Sequence, residues 1–286
     1  MFGNRRFDGS SGSARFMAAL AVAAAISLIA PPAMAQDSLS DAKKRGEMVV
    51  GTELQYAPFE FAAGDKAVGF DVDLMEIVAS DLGFKVKWID LPWVSVLPGL
   101  DAKKFDIVVA ATTISKARLE RYNYSLPIAD ATVALVKRKG DQSIMKPEDI
   151  AGKVVGGSKG SAQLQLLEDY TKKLPGGAEV KVYIGSTNSF ADLSAGRLSA
   201  VAGSLPNLAY LVKTRPDEFE LVLPPFGPPA YAAWVLRKDP ESQPLLKAVN
   251  DEIAKLNQNG KIAELQTKWF GREMALPFKD VPAPVY

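Results

Sequence analysis

The stretch DIVVAATTISKARLERYNYS, residues 106–125, predicts a buried strand that ends in polar groups. Asp106 to Ala111 is a short run of β-branched and small residues, which is typical of a buried strand. Hydroxyl groups follow directly, on Thr113 and Ser115, and Lys116 to Arg121 has the register of a short helix. The chain therefore leaves a sheet at its carboxyl end, where open α/β sheets bind their ligands.

Arg118 and the preceding hydroxyl groups predict a clamp for a small anion at this edge. The guanidinium fork of Arg118 matches a carboxylate bidentately, and Thr113 and Ser115 add hydrogen-bond donors. The same segment also fits a simpler interpretation, in which Thr113 or Ser115 is the N-cap of the helix and Arg118 is merely solvated. The surrounding sequence has to decide between the two.

The composition narrows the possible functions. The 286 residues are 48% apolar and 23% charged, which predicts a soluble globular protein with one large core or two smaller ones. The chain contains no cysteine and no histidine. It therefore cannot use disulfides, cysteine nucleophiles, histidine-based triads or most zinc sites. Catalysis by carboxylates or lysine remains possible, but a binding function without a cofactor is favoured.

The first 35 residues predict a secretory signal peptide. Arginines precede an apolar run from Phe16 to Ala30, and Ala33-Met34-Ala35 is a small-residue site that predicts cleavage after Ala35. A membrane anchor is the alternative, but the run is short and rich in alanine. Cleavage leaves 31 basic and 32 acidic residues, which favours neither nucleic acid nor an anionic membrane as a partner. We expect a free monomer in the periplasm.

A second loop follows the predicted strand Glu47 to Thr52, and Pro58 within it excludes a helix. Tyr56 is placed to offer its ring to a ligand and Glu53 to accept a hydrogen bond from a cation. The alternative for Tyr56, as for the two phenylalanines that follow it, is core packing. Trp93 follows the next strand and leaves the same two alternatives open.

The remaining chain predicts two α/β units, one inserted in the other. Strands alternate with helices again from Pro147, after a strand that ends in a basic, glycine-closed segment. We predict one lobe from residues 36–133 and 233–271 and a second from residues 134–232. Residues 272–286 form a proline-rich extension without periodicity, for which no ordered role is predicted.

The segment GGSKGS, residues 156–161, lies between a predicted strand and a helix. The amides of Ser161 and Ala162 are therefore placed to point at an anion, with the helix dipole behind them. A nucleotide site is not favoured, because the segment lacks both the Gly-x-Gly-x-x-Gly spacing and the Walker Gly-Lys-Ser/Thr ending.

A family resemblance is carried by residues 69–82, GFDVDLMEIVASDL, a predicted helix with Asp71 and Asp73 in its first turn. The paired aspartates resemble a catalytic pair, but dipole partners or caps are the favoured interpretation. The run resembles the signature of the bacterial extracellular solute-binding proteins that serve polar amino acid ABC transporters. In order along the chain, the agreeing motifs are YAPFEF, LPWVSVLPGLDAKKFDIVVA, TISKAR, AGKVVGGSKGS, SAGRLSAV and NQNGKIAELQTKWFG.

The resemblance covers about residues 45–271 and implies the type II periplasmic binding protein fold, with two Rossmann-like α/β lobes joined by two hinge strands. It also implies an amino acid ligand and an ABC permease as partner. Arg118 would hold the ligand carboxylate together with Thr113, and the backbone of Ala111 would accept from the ammonium. The amide of Ala162 and the region of Ser161 would bind the other carboxylate oxygen from the second lobe.

The resemblance further implies that Tyr56 stacks on the ligand and that Glu53, Trp93 and Ser158 line the side-chain pocket. One position departs from the family pattern, because Ser204 stands where an aspartate commonly pairs with the α-ammonium. A buried ammonium without a counter-ion is costly. Either Glu53 or another acid compensates, or the ligand lacks a free α-amino group.

We therefore expect a periplasmic protein that captures a small carboxylate, an amino acid or a modified one, for an ABC importer. Two alternatives remain open. An exported dehydratase acting on cyclic amino acid precursors shares this fold, and Glu53 would be its acid. A ligand-sensing module for a membrane receptor is the other.

Overall fold

The structure is a computed structural model that describes residues 1–4 and 37–284. The predicted signal peptide and its cleavage site after Ala35 lie outside the described residues, apart from the first four. Across the described ranges, no helix combines the length and the apolar character that a membrane span needs.

Strands and short helices alternate along most of the described chain. The strands, in chain order, are β1 (Glu47–Thr52), β2 (Gln55–Tyr56), β3 (Glu60–Ala63), β4 (Lys66–Val68), β5 (Lys85–Asp90), β6 (Ile107–Thr113), β7 (Tyr122–Tyr124), β8 (Ala129–Asp130), β9 (Val133–Arg138), β10 (Val154–Ser158), β11 (Glu179–Tyr183), β12 (Ala200–Ser204), β13 (Phe219–Val222) and β14 (Tyr231–Arg237). The α-helices are α1 (Ser38–Arg45), α2 (Phe70–Asp81), α3 (Trp93–Asp101), α4 (Lys116–Arg121), α5 (Ala162–Thr171), α6 (Ser186–Ser194), α7 (Leu205–Thr214), α8 (Gln243–Gln258) and α9 (Lys261–Phe270). Short 3-10 helices occupy Pro147–Ile150 and Pro240–Ser242.

The first lobe is built on a sheet with the order β5-β1-β6-β14-β7, and β8 pairs with β14 beside β7. Strand β1 is parallel to β5 and β6, whereas β14 is antiparallel to β6. Helices α2, α8 and α9 pack on one face around the fully buried Trp234, and α3 packs on the other face. Because both faces are covered, every residue of β6 is buried, which explains its continuous apolar run.

Strand β6 is longer than the sequence predicts. We expected it to end at Ala111, but it continues to Thr113. The reason is the pairing with β14, in which Thr112 and Thr113 lie opposite Ala233 and Ala232. The hydroxyl group of Thr113 is therefore positioned by the sheet, whereas Ser115 lies beyond the strand.

The second lobe is built on a sheet with the order β11-β10-β12-β9-β13. Strand β10 is parallel to β11 and β12, and β9 is antiparallel to β12 and β13. Two apolar clusters cover its two faces. The chain passes from the first sheet to the second between β8 and β9 and returns between β13 and β14, which is the predicted architecture of two α/β lobes.

Two features were not foreseen. Strands β2, β3 and β4 form a small separate sheet after β1, and its hairpin buries Glu60 to 2% exposure. The C-terminal extension packs on the first lobe through Met274, Leu276 and Phe278. The amide of Met274 donates to Gln266 Oε1 at 2.9 Å, so the extension continues the fold of this lobe.

Candidate functional site

A cavity of about 460 Å³, counting the part open to solvent, is lined by residues of both lobes. It lies where the predicted site residues converge, past the carboxyl ends of the central strands. Its lining includes nine of the ten residues singled out from the sequence, namely Glu53, Tyr56, Trp93, Ala111, Thr113, Arg118, Ser158, Ser161 and Ala162. Ser204 is not part of this lining and instead contacts Tyr56.

Arg118 is held between the two lobes and is half-buried. One of its terminal nitrogens donates to the carbonyl of Thr113 at 3.0 Å, and the other donates to the carbonyl of Gly160, across the cleft, at 3.1 Å. Its guanidinium also lies 5.3 Å from the ring centre of Trp93. Ser115 occupies the N-cap position of α4, but its side chain makes no capping hydrogen bond. The simpler interpretation is therefore right about the position of the cap, but Arg118 is not merely solvated, because it bonds to the carbonyls of Thr113 and Gly160.

The carbonyl of Gly160 is a meeting point for the two lobes. It accepts a second hydrogen bond from the indole N–H of Trp93 at 3.1 Å. Gly160 has φ of +74°, a conformation that favours glycine, in the turn that leads from β10 into α5. Trp93 and Arg118 of the first lobe thus both bond to the loop that precedes the N-terminus of α5 in the second lobe.

The N-terminus of α5 faces the cavity. Ser161 is its N-cap and accepts a hydrogen bond from the amide of Leu164 at 3.0 Å, and Ala162, which is 7% exposed, opens the helix. Gln163 donates through Nε2 to Thr113 Oγ1 at 3.2 Å, which adds a buried contact between the lobes. Sequence reasoning missed Gln163, because a glutamine in a first helical turn carries no pattern that marks it as a site residue.

Tyr56 and Ser204 meet across the cleft, with their hydroxyl oxygens 2.7 Å apart. The ring of Tyr56 stacks on Phe59, with centroids 5.5 Å apart and an interplanar angle of 11°. Burial raises the pKa of Tyr56 above its ordinary value, so this hydroxyl stays protonated. Ser204 ends β12 and is 2% exposed.

Three acids surround the same end of the site. Burial raises the pKa of Glu53 to about 6, against the opposing effect of the backbone N–H of Trp93. Burial raises the pKa of Glu60 well above its ordinary value, and nearby Asp71 and Glu53 raise it further. Burial also raises the pKa of Asp71 to about 6, although its Oδ2 accepts a hydrogen bond from the amide of Ala111 at 2.7 Å.

Asp71 therefore does more than the first-turn role predicted for it, because it fixes the backbone of β6 at the cavity. Glu60 was missed as a site residue. It stands in the motif YAPFEF, but a charged residue in a predicted loop is ordinarily solvated, and no pattern distinguishes it. Within residues 1–4 and 37–284, no cluster of three or more acidic side chains is arranged to hold a metal ion.

Comparison with known proteins identifies the family of this chain. The model of the bacterial extracellular solute-binding proteins, family 3, matches residues 48–272. The chain is 31% identical to the L-cystine-binding protein TcyJ of Escherichia coli (strain K12), over 92% of this chain and 97% of TcyJ. The chain belongs to the bacterial extracellular solute-binding proteins, family 3. The family resemblance carried by the sequence motifs is thereby confirmed.

Two solved structures show the same fold. An ancestral arginine-binding protein bound to arginine matches with a TM-score of 0.73 and 32% identity, over 79% of this chain and 99% of that chain. The ancestral amino acid-binding protein AncCDT-1, a precursor of cyclohexadienyl dehydratase, matches with a TM-score of 0.74 and 27% identity, over 82% and 99% of the two chains. Both are binding proteins by name. The predicted two-lobe fold is confirmed.

Proposed function

We propose that this protein captures an amino acid or a close derivative in the periplasm and delivers it to the permease of an ABC importer. The proposal rests above all on Arg118, whose guanidinium lies on the cavity wall and bonds to a carbonyl of each lobe. A guanidinium carries more N–H donors than these two bonds use, so others remain for a carboxylate.

The opposing lobe supports the same ligand group. The N-terminus of α5 supplies backbone N–H groups and the positive end of a helix dipole at the cavity. A carboxylate held by Arg118 and by these amides would contact both lobes at once. Such a ligand favours the closed form, because it makes these contacts in that form only. This is the behaviour that a permease needs in order to distinguish loaded from empty protein.

The relatives support the ligand class and the partner. The similar proteins named above bind L-cystine, arginine or amino acids by name. We propose on this basis that an amino acid or a close derivative is the ligand, and that residues 1–35 are removed on export to give a periplasmic monomer. The lobe boundaries at residues 133/134 and 232/233, and the roles of the lining residues, belong to the same proposal.

Isothermal titration calorimetry of the exported protein with L-cystine, L-arginine and L-glutamine tests the proposal. Charge-assisted hydrogen bonds contribute about 1.5 to 3 kcal/mol each, so Arg118→Ala is expected to weaken binding by about 10- to 100-fold. Arg121→Ala is the matched control, since Arg121 lies on the same helix α4 and pairs with Asp101 outside the cavity. Unchanged binding by Arg118→Ala, or equal losses in both variants, would contradict the proposal.

The dehydratase alternative has one observation in its favour besides the similarity to AncCDT-1. Glu53 lines the cavity and has a pKa of about 6, because it is buried, so it could donate a proton near neutral pH. Incubation with prephenate and with arogenate, followed by chromatography for phenylpyruvate and phenylalanine, distinguishes the two functions. We expect no product above the level of a Glu53→Gln control.

A further inference from the structure

Glu60 is a buried acid on the cavity wall, and one of its oxygens has no N–H or cationic partner within the described part of the chain. Its side chain is 2% exposed, and among the described residues Oε2 accepts no hydrogen bond from an N–H group, so its polar contact is with another acid, the carboxyl of Asp71. None of the ion pairs found among the described residues includes Glu60. Leaving a buried carboxyl oxygen without a partner is costly, so a group that enters the cavity is the natural candidate to satisfy it.

The groups that face Glu60 add further acids around it and do not neutralise it. Asp71 lies beside it from α2, and its contact with Glu60 joins two carboxyl groups rather than an acid and a cation. Glu53 approaches from the loop after β1, and Tyr56 from β2 remains neutral. Among the described residues, the one cation on the cavity wall is Arg118, which is directed to the carbonyls of Thr113 and Gly160.

Ser204 cannot act as the negative counter-ion for a cationic group of the ligand. Its hydroxyl is neutral and is bonded to Tyr56. A cationic nitrogen in this cavity therefore has to find its negative partner among the acids of the first lobe. Glu60 is the most buried of those that line the cavity.

We propose that Glu60, supported by Asp71, binds the positively charged nitrogen of the ligand in place of an acid at position 204. The inference rests on the proposed function and narrows it: the ligand carries a free ammonium, and carboxylates without one are rejected. Burial and mutual repulsion keep protons on these acids in the free protein, and the arriving cation favours their ionised form. Binding therefore releases a proton to the solvent, and affinity rises with pH until the acids are ionised.

Matched ligands test the inference. L-cystine is compared with 3,3′-dithiodipropionate, and L-arginine with 5-guanidinopentanoate, since each second compound lacks only the α-amino groups. The wild type is expected to prefer at least one amino acid over its analogue by about tenfold or more. Glu60→Gln is expected to lose about tenfold in affinity for that amino acid while changing its affinity for the analogue by less than about twofold.

Proton release is measured by calorimetry in phosphate and in Tris at the same pH, because the two buffers differ in ionisation enthalpy. We expect release on binding of the amino acid by the wild type and little or none in Glu60→Gln. Thermal unfolding of Glu60→Gln is the folding control, and the variant should melt at or above the wild-type temperature because it removes a buried ionisable group. A second test needs no variant. Binding of the amino acid by the wild type without proton release would contradict the inference.

The outcomes separate the two proposals. Unchanged affinity in Glu60→Gln, an equal loss for amino acid and analogue, or a loss confined to Glu53→Gln overturns the inference while the proposed function stands. Absence of binding of any probe to the wild type overturns the proposed function, and the inference falls with it.

Discussion

The hydroxyl oxygens of Tyr56 and Ser204 lie 2.7 Å apart and join the two lobes beside the cavity, although 148 positions separate the residues in the chain. Similar contacts link Trp93 and Arg118 to Gly160. The two lobes are thus joined beside the cavity by hydrogen bonds that the protein itself supplies. Ser204, at which the family resemblance implies an acid, is here part of this contact between the lobes.

The Tyr56–Ser204 contact is expected to stabilise the closed form. Tyr56→Phe and Ser204→Ala should each weaken ligand binding by about 2- to 10-fold, since a hydrogen bond contributes about 0.5 to 1.5 kcal/mol. The double variant should lose no more than either single variant, because both remove the same bond. Calorimetry on this cycle gives the coupling energy. Strictly additive losses would show that the two residues act separately.

Trp93 is expected to report closure by fluorescence. The protein has four tryptophans, and Trp93 bonds across the cleft to Gly160, whereas Trp88 bonds to Glu76 within the first lobe. Trp93→Phe should remove most of the emission change that follows addition of the amino acid bound in calorimetry, and Trp88→Phe should keep it. Retention of the full change in Trp93→Phe would rule out this assignment.

The stability of the free protein should fall as pH rises from about 4.5 to 6.5. Burial raises the pKa of both Glu53 and Asp71 to about 6, so the folded protein holds protons that the unfolded chain has already released in this window. Stability decreases with pH wherever the folded state binds more protons. Urea unfolding between these pH values measures the slope. Asp71→Asn should reduce it, and a slope that is the same in wild type and variant would refute the explanation.

Met274 is expected to stabilise the first lobe without affecting the ligand. Its side chain is 8% exposed and packs into the core cluster of that lobe, far along the chain from the cavity residues. Met274→Ala should lower the free energy of unfolding by about 2 kcal/mol, at the low end for a buried methionine. Lys279→Ala, at an exposed position of the same extension, is the control. A change in ligand affinity in Met274→Ala would argue against a purely structural role.

The local patterns in this chain were sufficient for most of its elements. The bounds of β1 agree with the predicted strand Glu47 to Thr52 residue for residue, because the strand pattern is encoded within the segment. The convergence of the predicted lining residues follows from topology, since carboxyl ends of neighbouring parallel strands meet at one edge. Composition and motifs then indicated the family.

Long-range contacts decided what no segment shows. The extension of β6 to Thr113 depends on β14, more than a hundred positions away, and the role of Asp71 depends on the amide of Ala111. The burial of Glu60 arises only when the small sheet of β2, β3 and β4 folds against the lobe. Sequence alone indicated most of the strands and helices and predicted a carboxylate clamp at Arg118. Packing decides which acids are desolvated, and therefore which of them can pair with a ligand cation. The physical reason is that desolvation depends on neighbours from distant parts of the chain.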